Sequence, residues 1–455
     1  MLRALAIGCA LAVLAGCATV QVDRPQAQAG PSDPTFAQAR ELARNGATLS
    51  GQARSDNARA IDRLLAGLDD ATLAREAATL PSGDPLYNFA GRALQRRGFP
   101  LPRPFDRGAW NFDAGNRPPA DRDGYRPPMK LAVLLPLSGS LAAAASPVRD
   151  GLLTGYYGET RRRPEIAFYD TAAGAEPAYA KAVAEGNDFV LGPLGREEVG
   201  ALFRSGNLVV PVLALNRGNV APPAGSASFS LSPDDEGIAA AEYLLDRGAR
   251  HALVLAGSDE GLRRAVAAFR DRFGERTGAT VQSIDVGGAA ADLVPRLQAA
   301  AQQQGGVDAV FFAVKGSEAR MIAPQLAAAG LGAKPRVATS QLLSGTGKPE
   351  EDSALDGIAY PTETWTARGI PALPSATSVG ARLKTAKGPA ARLFAFGYDA
   401  WLVTAYLEKL ALDANAEVRG ATGTLRIDGF GNVLRTPTWS TFSGGTPMPL
   451  ADGAR

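Results

Sequence analysis

The side chains that could do covalent chemistry in this chain are few. It holds one histidine, His251, and two cysteines, Cys9 and Cys17, so neither a nucleophile and base pair nor a zinc-type ligand set can be assembled from them. His251 follows Arg250 at the start of the apolar run HALVLA and reads as a capped or solvated strand-edge residue rather than a general base. Paired carboxylates occur at Asp234-Asp235-Glu236, directly after Ser232-Pro233. Acids there complement a helix macrodipole and mark a helix start, a reading preferred to glycosidase-like acid and base work. Gly192-Pro193-Leu194-Gly195 lacks the spacing and the Lys-Ser/Thr ending of a phosphate loop and reads as a tight turn. What remains is binding chemistry. Ser138, Gly139 and Ser140 could donate hydrogen bonds to a ligand's carboxylate, or could simply close a turn. Tyr398 and Asp399 lie among Phe394, Trp401, Leu402 and Ala405 at helical spacing, where core packing is preferred to a binding role and Asp399 is expected to hydrogen-bond across the helix. None of these residues implies a cofactor.

The elements that would position them can be read from apolar spacing. Residues 130–136 form a nearly continuous apolar run, as expected for a strand buried on both faces of a parallel sheet. Pro136-Leu137-Ser138-Gly139-Ser140 breaks it. From Pro147 the apolar residues Val148, Leu152, Leu153 and Tyr156 recur at helical spacing, which predicts a helix with Ser146 as N-cap and Pro147 in first position. The loop between strand and helix is where ligands usually meet an open α/β sheet. Further strands are expected at 165–169, 188–191 and 208–215, the last ending at Asn216, with helices at 179–185 and 196–205.

A second array begins after Ser232-Pro233, with strands expected at 251–256, 280–286, 308–313 and 336–339 and helices at 262–276, 290–304 and 318–329. Two βα arrays in tandem imply an α/β fold with two lobes. The long apolar helix 390–412 is expected to pack back on the first lobe. Residues 423–442 read as a β-hairpin, with 424–427 and 433–442 alternating about a turn at Asp428 to Asn432.

The N-terminal portion differs in composition. Residues 1–16 carry one basic residue, Arg3, and an apolar run too short to span a bilayer, and read as a secretory signal. Leu14-Ala15-Gly16-Cys17 has the form of a bacterial lipobox, so Cys17 is the expected lipid attachment site and Cys9 is lost with the signal, leaving no disulfide in the mature monomer. Ala18, rather than aspartate, after Cys17 implies export to the outer membrane. Residues 17–34 read as a tether, 35–97 as a small helical segment of two or three helices, and 98–128 as a Pro/Arg-rich linker expected to lie across the domain surface through Trp110 and Phe112. The 48 basic and 46 acidic residues nearly balance, which gives no case for nucleic acid.

The segments KLAVLLPLSG at 130–139, VRDG at 148–151, YDT at 169–171, LGPL at 191–194, PVLALN at 211–216 and FGYDA at 396–400, with the 420–435 hairpin, resemble the LppC/LpoA-type lipoproteins that activate penicillin-binding proteins. The plan is similar to the type I periplasmic-binding-protein fold, with a short helical N-terminal segment added. The resemblance covers residues 129–449, and implies a first lobe of about 129–232 plus the returning helix and a second of about 233–360 plus the C-terminal hairpin. It implies a non-enzymatic outer-membrane lipoprotein, facing the periplasm, whose partner is a class A penicillin-binding protein. A small-molecule ligand between the lobes would meet Ser138, Gly139, Ser140, Asn216, Tyr398 and Asp399. Singly, each motif is compatible with amino-acid receptors of the same fold, so the competing reading is a periplasmic receptor for an amino acid or small amide. Larger family members carry an extended N-terminal domain of helical repeats, of which residues 35–97 could supply a fragment.

Overall fold

The computed structural model describes residues 32–451, apart from positions 47, 50, 98, 107–116, 205–207, 224, 277, 287–291 and 414. Cys17, the rest of the expected signal, most of the tether, Trp110 and Phe112 lie outside the described residues. Helices α1 (Pro34–Gly46), α2 (Gly51–Ala66), α3 (Asp70–Thr79) and α4 (Tyr87–Arg96) come first. Two or three were expected. The additional break falls just before Asp69, which caps α3 by accepting from the Thr72 N–H at 2.9 Å. The apolar faces converge and bury Phe36, Ile61, Leu65, Leu73, Tyr87 and Leu94 in a core of their own.

The first lobe contains β1 (Lys130–Leu135), α5 (Ala142–Gly158), β2 (Glu165–Asp170), α6 (Ala175–Ala184), β3 (Phe189–Leu191), α7 (Arg196–Arg204), β4 (Val212–Ala214) and β5 (Ala227–Ser228). Its strands pair in parallel in the order β2-β1-β3-β4-β5. β1 explains its own composition: Leu131, Val133 and Leu135 enter one core, Ala132 and Leu134 the other, so both faces must be apolar. Helix α5 begins at Ala142, not at Pro147 as expected. The run Ala142 to Ala145 favours helix strongly enough to extend it N-terminally, and the Ser146 hydroxyl, instead of capping, donates back to Ala142 O at 2.9 Å.

The second lobe opens with α8 (Pro233–Leu245), capped by Ser232 Oγ, which accepts from Asp235 N at 3.2 Å. It continues through β6 (His251–Ala256), α9 (Glu260–Gly274), β7 (Thr280–Asp285), α10 (Val294–Gln302), β8 (Ala309–Ala313), α11 (Gly316–Ala328) and β9 (Arg336–Ala338), a parallel sheet in the order β7-β6-β8-β9. The sheet is separate from that of the first lobe.

The chain then crosses between lobes. β10 (Tyr360–Thr362) precedes the long helix Ala390–Leu412, which returns to α5 at van der Waals range. A Cβ on Gly151 would stand 1.9 Å from Phe394 O, and one on Gly397 would stand 1.9 Å from Val148 O, so the two glycines permit the crossing. After it come β11 (Val418–Arg419), β12 (Thr424–Ile427), β13 (Val433–Thr436), β14 (Thr438–Ser443) and β15 (Thr446–Pro449).

Here the structure departs from the expected single hairpin attached to the second lobe. β12 and β13 pair about a turn tied by Asp428 Oδ1, which accepts from the N–H groups of Phe430 (2.9 Å) and Asn432 (2.8 Å). Their Leu425, Ile427 and Val433 pack in the core of the first lobe. Pro437, which has no N–H to offer a ladder, ends that hairpin. β14 instead pairs with β10 and β15, and its Phe442 packs in the core of the second lobe. The four N-terminal helices seat against both parts: Phe89 packs edge-on to Phe430 with centroids 4.8 Å apart, Asn88 Nδ2 donates to Gly429 O at 2.8 Å, and Arg96 pairs with Glu275 beyond α9 at 3.4 Å.

Candidate functional site

Ligands of an open α/β lobe meet the loops beyond its strands, so the β1–α5 loop comes first. Ser138, Gly139 and Ser140 are exposed, and Gly139 adopts the positive φ of 76° that closes the turn. Asp170 at the end of β2 holds this loop, accepting from Leu137 N at 2.9 Å and from Ser138 Oγ at 2.5 Å. The Ser138 hydroxyl is thus the main cause holding the Asp170 carboxyl below its ordinary range. Asn216 is engaged as well: its Nδ2 donates to Leu194 O and its Oδ1 accepts from Arg217 N, both at 2.9 Å. It pins the loop after β3 to the loop after β4.

Tyr398 and Asp399, adjacent on the long helix, part company. Asp399 is fully buried, and its carboxylate accepts from Ala421 N (2.5 Å), Thr422 N (2.7 Å) and Thr422 Oγ1 (2.6 Å). It organises the turn before β12. Burial pushes its carboxyl up to about 6, against the lowering effect of the Thr422 and Ala421 donors. Tyr398 lines a cavity of about 1140 Å³, and burial followed by the Asp399 charge pushes its phenol up to about 12. Of the six residues expected to meet a ligand, Tyr398 alone lines that cavity. His251 is half-buried, with its N–H given to Asp308 Oδ1 at 2.9 Å and its Nδ1 bonded to Thr280 Oγ1 at 2.8 Å. Among the described residues no cluster of three or more His, Cys, Asp or Glu could hold a metal ion, and no helix is long and apolar enough to cross a membrane.

The sequence reading did not anticipate the polar network at the junction of the lobes. The acids at the start of α8 are each paired: Asp234 with Arg264, Asp235 with Arg217, and Glu236 with Arg392. Glu236, buried, also accepts from Ser340 N and Ser340 Oγ, both at 2.8 Å. Burial opposes its ionisation, yet Arg392 and the Ser340 N–H outweigh that cost and hold its carboxyl below the ordinary range. Arg392 stands 3.4 Å from Glu363 as well. Arg217 comes from the loop of the first lobe and Arg392 from the long helix, so two ion pairs bind the first turn of the second lobe to segments packed on the first. A helix start explains why three acids occur together; their partners explain why each is needed. The available signal was that an acid triplet falls at the expected lobe boundary.

Among the described residues the arrangement ties the first turn of α8 to segments packed on the first lobe. A profile of the LppC lipoprotein family matches residues 125–445. The penicillin-binding protein activator LpoA of Photobacterium profundum is 28% identical over 355 residues, 71% of this chain and 57% of that protein, so the chain spans little more than half the length of that relative. Full-length LpoA from Haemophilus influenzae superposes with a TM-score of 0.63 at 18% identity, covering 91% of this chain and 78% of that one. A Chromobacterium violaceum structure assigned to the branched-chain amino acid ABC transporters superposes with a TM-score of 0.55 at 29% identity, covering 69% and 100%. The two lobes therefore have the periplasmic-binding-protein-like fold, and the chain belongs to the LppC lipoprotein family.

Proposed function

We propose that this chain is a non-enzymatic lipoprotein that binds and activates a class A penicillin-binding protein, held at the periplasmic face of the outer membrane through lipid on Cys17. Residues 1–16 serve as signal and 17–34 as tether, and the two-lobe domain of 129–449 makes the activating contact. The observation that carries this reading is the likeness to a penicillin-binding protein activator along 71% of the chain. The bonding at the expected ligand residues agrees with it: Ser138, Asn216 and Asp399 are committed to Asp170, Leu194 and the 421–422 turn. The second reading, a receptor for an amino acid or small amide, draws on the likeness to the transporter structure along all of that chain.

Activation without chemistry requires that binding favour the active state of the synthase, since a partner binding both states equally shifts nothing. A tenfold gain in rate corresponds to about 1.4 kcal/mol of preference. The test is lipid II consumption and peptide cross-linking by a purified class A synthase, with and without the acyl-free chain beginning at Ala18. Stimulation at saturation is expected. Absence of stimulation, together with stoichiometric binding of an amino acid, would establish the receptor reading instead.

A further inference from the structure

The cavity that Tyr398 lines is built from segments far apart in sequence: α4, α8, the long helix and the strands from β11 to β14. At about 1140 Å³ it exceeds the ~300–1,000 Å³ common for small-molecule sites, and has room for a short peptide. Eight arginines line it against five acids. Asp62 and Glu275 offset Arg92 and Arg96 from outside, while Arg272 offsets Glu242.

Three arginines define its character. Arg419 on β11 is exposed and has no hydrogen-bond or ion-pair partner among the described residues. Arg435 on β13 gives Nη1 to Thr422 O at 3.1 Å, while its Nε is closed off from solvent without an acceptor. Arg217 gives Nη1 to Asp235 at 2.5 Å and leaves Nε and Nη2 buried without acceptors. The charge of incompletely paired guanidinium groups beneath a cavity wall is weakly screened. At the rim, Arg419 offers a planar fork matched to a carboxylate.

Two further features select a peptide over a simple anion. β11 and β13, the outer strands of their sheet, both contribute lining residues, and outer strands carry backbone donors and acceptors that a peptide can use. Tyr243 and Trp439, with ring centroids 4.4 Å apart, give the cavity an aromatic wall for the aliphatic part of a side chain. We propose that this cavity binds a carboxylate-rich peptide, with Arg419 and Arg435 recognising its anionic groups. The assignment stands whether or not the chain activates a synthase.

The test is calorimetric titration of the acyl-free chain beginning at Ala18 with tetraglutamate, tetraglutamine and inorganic phosphate at low ionic strength. Tetraglutamate is expected to bind once per chain, to perturb tryptophan emission through Trp439, and to outcompete phosphate. Arg419→Gln removes an exposed, unpartnered side chain, so folding is preserved, and the affinity should fall about tenfold, the scale of one charge-assisted contact. Arg435→Gln should weaken binding at least as much. Equal binding of tetraglutamine, displacement of tetraglutamate by phosphate at similar concentration, or unchanged affinity in Arg419→Gln would each overturn the proposal.

Discussion

Glu236→Gln replaces one atom and tests the junction of the lobes. The native carboxylate receives Ser340 N on Oε2 and Ser340 Oγ on Oε1, both at 2.8 Å, and pairs with Arg392. A glutamine keeps one acceptor oxygen and brings an NH₂ group that must face either the Ser340 N–H or the Arg392 guanidinium. Breaking a buried pair by removing one charge costs about 3–5 kcal/mol. Here the Arg392 side chain is 22% exposed and retains Glu363 at 3.4 Å, which moves the expectation below that range, to about 2–3 kcal/mol. For a cooperative unit of roughly 150–250 residues that lowers the melting temperature by about 4–12 °C.

The pH dependence gives the argument its sign. The Glu236 carboxyl is held below its ordinary 4.5 in the folded protein, so the stability it contributes is fully present above that value and is lost as pH falls through the depressed folded pKa. The gap between wild type and Glu236→Gln should therefore be widest near neutrality and shrink as pH falls below the ordinary 4.5. Calorimetric or circular-dichroism melts at neutral and acid pH read it directly. Equal melting of the two proteins at pH 7, or a gap that persists unchanged into acid, would refute the reasoning.

Other expectations rest on separate contacts. Gly151→Ala places a methyl 1.9 Å from Phe394 O, a backbone atom that cannot swing aside, so the helix crossing should open at a cost of about 1–3 kcal/mol, seen as a lower melting temperature and faster amide exchange in the long helix. Phe430→Ala removes the ring packed against Phe89 and beneath Arg92, 4.5 Å from its centroid, and should loosen the N-terminal helices by about 2 kcal/mol; limited proteolysis should then cut preferentially within 34–96, while uniform protection would count against the docking described. Asp399, raised to about 6, binds its proton more tightly in the folded chain, so its contribution is greatest below the ordinary 3.8 and is lost as pH rises through 6; Asp399→Asn should abolish that slope in a stability profile. Cys17→Ser should leave the melt unchanged and shift the chain from membrane to soluble fractions, and retention in the membrane would show a second anchor.

The parts that could be read from sequence are those whose fate is decided locally. β1 is apolar on both faces because both faces are buried, and the long helix spans Ala390–Leu412 as its continuous apolar spacing predicts. The strand 433–442 was misread because its alternation runs smoothly past Pro437, while the choice of partner is made elsewhere: β13 pairs with β12, and β14 with β10, some 78 residues upstream for the Thr362–Ser440 hydroxyl contact. The site suffered most from this. Ser138 and Asn216 have the types to meet a ligand, but only tertiary structure reveals that Asp170 and Leu194 take up their bonds. Conversely, Arg392 and Glu236 lie 156 residues apart, and nothing in either local sequence marks them as partners.

The proposed activator role places a different demand on this fold from that of a solute receptor. A solute receptor works by letting its lobes close on a ligand. In this chain Arg217–Asp235 and Arg392–Glu236 hold the first turn of α8, and the N-terminal helices span from the β12–β13 turn to Glu275 of the second lobe. Each tie biases the lobes toward one relative placement. A surface held in one placement is recognised without the penalty of selecting it from several, because the apparent affinity of a partner falls in proportion to the fraction of molecules that are competent. Ties that hold the junction in one placement thus suit it to docking. Asp234 pairs instead with Arg264 of α9, within the second lobe, so two of the three adjacent acids at this helix start serve as ties.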